Sequence, residues 1–253
     1  MLSIKPIKAF TDNYIWVIHS ATSHDQVVVI DPGQAQPVLN YLEEHQLSLA
    51  AIFVTHHHHD HTGGIKTLIS HFDCPVYAGI DEPVKHITHP LADNETFEIP
   101  ELDLTFTAFH IPGHTRGHIA YYGHDAVFVG DTLFAGGCGR IFEGTPEQMY
   151  QSLQRIAALP RETLIYCAHE YTQQNLEFGL MIEPNNQNIA SKLELVKTLR
   201  QHNRCTLPTN LSEELDTNIF LRCHQDSVQN SMKQCATTLE IFTALRKLKT
   251  YSA

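Results

Sequence analysis

The stretch THHHHDHTGG, Thr55 to Gly64, carries five histidines and one aspartate in six consecutive positions. Imidazole nitrogens and carboxylate oxygens at this density are donors for divalent metal ions. The preceding run, AAIFV, reads as a strand that ends near Thr55, so successive side chains should leave on opposite sides. His56 and His58 then point one way, and His57 and His59 the other. Asp60 and His61 follow where the backbone bends toward a helix start at Gly63-Gly64. This predicts two donor pairs, His56 with His58 for one ion and Asp60 with His61 for a second.

Two donors per ion leave both shells incomplete, and the remainder must come from later in the chain. HIPGHTRGH offers His110, His114 and His118, VFVGDTLF offers Asp131, and YCAHEYT offers His169. Each follows an apolar run, where a rigid sheet can present a ligand. Asp131 has two oxygens and can serve both shells. Two ions about 3.5 Å apart make a nucleophile from water at neutral pH and polarise a carbonyl at the same time, which is hydrolytic chemistry. Asp60 can hydrogen-bond the attacking oxygen as well as ligate. No Ser or Cys nucleophile is then required. A donor set of N and O without thiolate suits zinc, with iron or manganese as alternatives.

The elements that must hold these donors are legible in outline. QVVVIDPG and AAIFVTH are apolar throughout, as strands covered on both faces are. DLTFTAFH alternates through Leu104, Phe106 and Ala108, so one of its faces is more polar. HIAYYG, AVFVGD and TLIYCAHE complete a set of strands with reactive residues at their ends. Ile65, Leu68, Ile69 and Phe72 form one helical stripe, and Thr145-Pro146 with Gln148 is a capping-box helix start. Beyond about Thr172 the strand signals fade into helical spacings, such as Ile189, Leu193, Val196 and Leu199. Two regions are expected, 1–172 and 173–253, the first an α/β domain and the second smaller and mainly helical. Asp31, closing its own strand, is placed to orient a ligand histidine.

Composition narrows the partners. The formal net charge of −11 argues against nucleic acid or an anionic membrane as a globally attracted partner. No basic-then-apolar leader opens the chain, and no apolar run is long enough to span a bilayer, so a cytoplasmic protein is expected. The six cysteines show no CxxC spacing and read as free thiols of a reducing compartment.

The pattern T-H-x-H-x-D-H at Thr55 to His61, followed in order by PGHT, GDTLF and AHEY, resembles the metallo-β-lactamase superfamily. That resemblance implies an αββα sandwich with the metals at one edge. Within it, FTDNYIW, GCGRIFEGTPEQMYQSL, AHEYTQQNLEF and the basic ALRKLK are similar to the glyoxalase II (hydroxyacylglutathione hydrolase) family, over nearly the whole chain. The resemblance implies His56, His58 and His114 on one metal, Asp60, His61 and His169 on the other, and Asp131 shared. It also implies a glutathione thioester substrate, S-D-lactoylglutathione, and a monomer. Arg140, Arg246 and Lys249 match the family's glutathione-binding positions, and Tyr171, just after His169, is placed to donate its hydroxyl to the glutathione backbone. Two positions depart from some members: Arg140 stands where they have Lys, and Phe142 where they have Tyr, which loses a hydroxyl.

Other chemistries would use the same metals. A phosphodiesterase-type nuclease is disfavoured by the acidic charge, and a lactonase leaves the basic C-terminal helix without a use. A glutathione persulfide dioxygenase would need one iron centre, and a metal buffer would bind without turnover.

Overall fold

The computed structural model describes residues 2–251, so residue 1 and residues 252–253, the outer ends of the two expected regions, lie outside it. Its chain forms two compact units. The first runs to His110 and resumes over Thr115–Gly130, and the second comprises Ile111–His114 and the chain from Asp131 onward.

In the first unit, β1 (Ser3–Ala9), β2 (Asn13–His19), β3 (Gln26–Ile30), β4 (Ser48–Phe53), β5 (Val76–Gly79) and β6 (His89–Leu91) form one sheet in sequence order. The first three strands pair antiparallel and the rest parallel. Parallel pairing needs crossovers, and α1 (Ala35–His45) and α3 (Ile65–His71) supply two of them. Val27, Val29, Ile52 and Val54 pack under Val38 and Leu42 of α1 and Ile65 and Leu68 of α3. On the other face, Phe53 stacks on Tyr121 at 4.7 Å and meets Phe97 and Phe106 edge-on at 5.3 and 5.4 Å. Those partners belong to the antiparallel run β7 (Thr96–Ile99), β8 (Leu104–His110), β9 (Ile119–Gly123) and β10 (Ala126–Gly130). This two-sided cover explains why β3 and β4 contain no polar alternation. In β8, Leu104, Phe106 and Ala108 are buried, as the alternation predicts.

The second unit contains the short hairpin β11 (Leu133–Phe134) and β12 (Gly137–Cys138), the helix α4 (Pro146–Ala157), and β13 (Leu164–Cys167) paired with β14 (Thr209–Asn210). Five more helices follow: α5 (Thr172–Ile182), α6 (Gln187–Gln201), α7 (Leu211–Thr217), α8 (Asp226–Ser231) and α9 (Thr238–Tyr251). Thr145 caps α4 in a reciprocal box with Gln148, as its sequence predicts. Asn186 caps α6 by accepting from the N–H groups of Asn188 and Ile189. Phe220 lies 6.3 Å from Phe178 and 6.0 Å from Phe242, which joins α5 and α9 through one aromatic core. Arg222 is partly buried, its guanidinium gripping both oxygens of the buried Glu183 at 2.9 and 3.0 Å. No described helix is long and apolar enough to cross a membrane.

Candidate functional site

Parallel neighbours β3 and β4 end on the same edge of their sheet, the place where such sheets present functional groups. Asp31, one residue past β3, accepts the backbone N–H and the hydroxyl of Thr55 at 2.7 Å each. It also lies 3.0 Å from Nδ1 of His61. With Asp31 ionised, His61 carries its proton on Nδ1 and presents Nε2 as a lone pair. That Nε2 sits 3.4 Å from Oδ2 of Asp60, whose orientation is fixed by Nδ2 of Asn13 at 3.0 Å. Gly33 permits this crowding, because a Cβ there would stand 1.8 Å from the Asp60 carbonyl oxygen.

The strand ends at Phe53, two residues earlier than its sequence suggests, and His59–His61 lie on a helical turn, α2 (His59–Thr62). The separation of the histidines therefore arises from the loop rather than from strand alternation over its whole length. His56 is fully buried, with Nε2 3.1 Å from Nδ1 of His58, and its ring stacks on His118 at 4.7 Å. Two imidazole nitrogens this close share either a proton or a cation, and the neighbouring donors are all N or O, a set that fits a divalent metal. His57 turns to Glu82, with Nδ1 2.6 Å from Oε2. His59 is exposed. Asp31, His56 and His61 also offer three donor atoms within 4.8 Å of one another. Both Asp31 oxygens already accept hydrogen bonds, so its part is to orient.

In the second unit, His114 follows the turn Pro112-Gly113, and its Nδ1 lies 2.8 Å from the carbonyl oxygen of Arg140. That carbonyl accepts a hydrogen bond from Nδ1–H, which leaves Nε2 with its lone pair free to bind a metal. Asp131 faces two such rings, with Oδ2 3.5 Å from His114 Nε2 and Oδ1 3.4 Å from His169 Nε2. One oxygen toward each imidazole is the arrangement a bridging carboxylate uses. His169 follows β13 and stacks on Tyr171 at 4.8 Å and 8°.

A cavity of about 430 Å³ opens beside these groups within the same unit. His114 and Asp131 line it together with Arg140, Phe142, Tyr171, Arg246 and Lys249. Burial, and then the charge of Arg246, push the Lys249 ammonium down to about 8. Lys249 donates to the Gln174 carbonyl at 2.9 Å and lies 5.0 Å above the Phe178 ring. Nη1 of Arg246 donates to the carbonyls of Cys138 and Gly139, while its buried Nε meets no protein acceptor. An unspent N–H on a buried cation beside a cavity is suited to an anionic ligand. Cys138 is buried, which raises its thiol above the usual range, and Cys167 is pushed up to about 12. Neither thiol is a thiolate nucleophile at neutral pH.

Comparison with known proteins agrees with this chemistry. The metallo-beta-lactamase superfamily model matches residues 10–169, and the hydroxyacylglutathione hydrolase C-terminus model matches residues 170–251. Hydroxyacylglutathione hydrolase of Aliivibrio fischeri strain MJ11 is 49% identical over 98% of this chain and 99% of its own. The chain belongs to the hydroxyacylglutathione hydrolase family. The enzyme of the same name from Nitrosomonas eutropha is 46% identical, over 98% of each chain. The crystal structure of the B3 metallo-β-lactamase BLEG-1 superposes with a TM-score of 0.64 at 23% identity, covering 87% of this chain and 99% of that one. The metallo-β-lactamase fold and a helical C-terminal region are thus established for this family member. Its His and Asp groups are of the metal-binding kind.

Four cavity-lining residues escape sequence reasoning: Phe134, Cys138, Gln174 and Asn175. Asn175 is spaced i+4 from Tyr171, the N-cap of α5, a signal that points to a shared helix face once the helix start is known. His110 closes β8 and His118 Nδ1 lies 3.1 Å from the Ile119 carbonyl, and neither belongs to a cluster of three metal-capable donors among the described residues.

Proposed function

We propose that this protein hydrolyses the thioester S-D-lactoylglutathione to glutathione and D-lactate, the second step of methylglyoxal detoxification. Family membership supports the thioester hydrolase activity. One observation carries the substrate reading. Donors of the metal-binding kind, His114 and Asp131, line one cavity with three cationic side chains, in a chain of net charge −11. An acidic protein that binds an anionic peptide thioester needs such a local concentration of positive charge.

His56, His58 and His114 would hold one divalent ion and Asp60, His61 and His169 a second, with Asp131 available to both. This assignment rests on the family's motif order and on the state of the rings, since His61 and His114 each have Nδ1 engaged and Nε2 left to donate. Zinc suits this N and O set best. When bound, the ions lower the pKa of water and polarise the thioester carbonyl. The remaining work falls to the chain itself. Asp60 receives a hydrogen bond from the attacking water, and Asn13 holds its carboxylate in place. Arg140, Arg246 and Lys249 pair with the carboxylates of glutathione, and the Tyr171 hydroxyl donates to its backbone. Phe142, edge-on to His114 at 5.2 Å, gives the cavity an aromatic face at its exposed edge. The departing thiolate is a stable anion, so no strong acid is needed at sulfur. Residues 1–172 supply the chemistry together with Arg140 and Tyr171, and 173–253 add Arg246 and Lys249 to the grip on glutathione, in a cytoplasmic monomer.

The test is hydrolysis of S-D-lactoylglutathione by the purified protein beside Asp131→Ala, with metal content counted in both. Turnover in the parent, with a fall of roughly a thousandfold or more and lost metal in the variant, is expected. Two bound metals with no thioester turnover would sink the reading and direct attention to lactone, phosphodiester and persulfide substrates.

A further inference from the structure

The stretch NIFLRC, Asn218–Cys223, lies far along the chain from the pocket loop that carries Cys138, Gly139 and Arg140. Its first residue is fully buried, and Nδ2 of Asn218 lies 2.9 Å from the Gly137 carbonyl, 2.9 Å from Oε2 of Glu214 and 3.2 Å from the Phe134 carbonyl. Two hydrogens are shared among three acceptors, and two of those acceptors belong to opposite strands of the β11–β12 hairpin. Oδ1 of the same amide accepts the Phe220 N–H at 3.1 Å, so every polar atom of the side chain is engaged. Glu214 closes the arrangement. Its Oε2 accepts the N–H of Gly136 at 2.8 Å, and its Oε1 accepts Lys192 Nζ and Thr209 Oγ1 at 2.7 Å each. Gly136, at φ 70°, is the turn between the two strands, a conformation that favours glycine. A carboxylate that is fully buried and paired with a lysine costs stability unless its remaining lone pairs are filled, and here the hairpin's own backbone fills one.

The same stretch reaches the cavity by a second route. Phe220 lies under the Arg246 guanidinium at 5.3 Å, and Nη1 of Arg246 is tied to the carbonyls of Cys138 and Gly139, the residues that follow the hairpin turn. The ring thus supports the cation from one side while the hairpin carbonyls hold it from another. Arg246 is 8% exposed, so its direction is set by these contacts rather than by solvent.

We propose that Asn218, with Phe220 and Glu214, is a positioning device for substrate binding: it sets the hairpin and the Arg246 guanidinium in the one arrangement that receives the glutathione part of the substrate. Asn218 touches no reacting atom, and its effect passes through the Gly137 carbonyl and Arg246. The inference rests on the reading of the cavity as a glutathione site, and it makes a separate prediction about the hairpin that needs no substrate.

The test compares the full-length, metal-loaded parent with Asn218→Ala and with the milder Phe220→Leu. Two readings are taken on each protein: KM and kcat with S-D-lactoylglutathione, and the rate at which iodoacetamide labels Cys138, resolved from Cys167 by mass spectrometry. For Asn218→Ala, KM should rise roughly tenfold while kcat falls no more than about twofold. Cys138 should label roughly fivefold faster, with the buried Cys167 changing by less than about twofold, since only the hairpin is released. A KM that holds, or both cysteines speeding up together, overturns the proposal and makes Asn218 a general stabiliser. Should the parent fail to turn over the thioester, the substrate reading falls, and the ratio of Cys138 to Cys167 labelling alone decides the positioning claim. If Asn218→Ala does not fold, Phe220→Leu decides on the same two readings, with a KM rise of roughly threefold to fivefold expected.

Discussion

The histidine loop of the first unit and the cavity wall of the second present the same kinds of donor, assembled in different ways. In the loop, the ring nitrogens of His56, His58 and His61 come from six consecutive residues, and the buried Asp31 carboxylate orients the His61 ring directly and also holds the Thr55 hydroxyl that meets Nδ1 of His56 at 3.0 Å. Asp31 holds His61 and Thr55, while Glu82 takes the His57 backbone N–H, the His57 ring and the Thr115 hydroxyl. In the wall, positions 114, 131 and 169 contribute one donor each, and a backbone carbonyl from Arg140 orients the first. A carboxylate that orients a histidine sets its tautomer and raises its basicity, so disturbing one acts on metal affinity. A wall built from a loop, a hairpin and α9 also carries the three cationic side chains proposed to hold the substrate, so disturbing it should act on KM. On the proposed function, the first region serves the ion and the second serves ion and substrate together.

The sharpest break of that contrast is Asp31→Asn. Its new Nδ2 would donate to His61 Nδ1, which forces the proton to Nε2 and blocks the donor atom. Metal affinity should fall about a hundredfold at the upper end of such effects, read by chelator competition, with the fold intact by circular dichroism. Unchanged affinity would mean that Asp31 serves the fold alone.

Next in size is Arg246→Ala, which removes a charge-assisted contact from the cavity wall. KM should rise roughly twentyfold with metal content unchanged, and a loss of metal instead would erase the distinction between the two regions. Lys249 supplies a finer test through pH. Its ammonium, depressed to about 8 by burial and by Arg246, is charged below that pH and binds a carboxylate there. Above it the charge is lost, so KM should climb by up to about tenfold per pH unit, and binding should take up a proton. A flat KM between pH 7 and 9.5 would remove Lys249 from the substrate site. The smallest effect belongs to Phe142→Tyr, which restores a hydroxyl at an exposed edge of the cavity. One neutral hydrogen bond contributes about 1 kcal/mol at most, so KM should drop by no more than roughly fivefold. No change, or a rise, would show that the aromatic wall alone matters.

Much of this was legible before any coordinates. The histidine loop was readable because its donors are contiguous and follow an apolar strand, and the alternation of β8 and the cap of α4 were readable because they are local patterns. The strand boundary at Phe53 was missed by two residues, since apolar side chains continue through Val54, whose N–H still donates to the Tyr77 carbonyl at 2.9 Å, and only at Thr55 does the backbone N–H turn to the Asp31 carboxylate. Glu82 was invisible: nothing in AGIDEP marks a carboxylate that will be buried against His57. The same holds for Asn218 and Glu214, whose partners lie about 80 residues away in sequence.

By itself the sequence determined the donor inventory, the order of the strand-end motifs, the acidic surface and the helical character of the C-terminal region. These follow from residue type and short-range periodicity, which act over a few positions. Only the tertiary structure decided which nitrogen each histidine presents, that one aspartate faces two rings, and that Arg246 is held by a hairpin it never neighbours in the chain. Those outcomes depend on hydrogen bonds between residues brought together by packing, where the cost of leaving a buried polar group unpaired selects one arrangement from many.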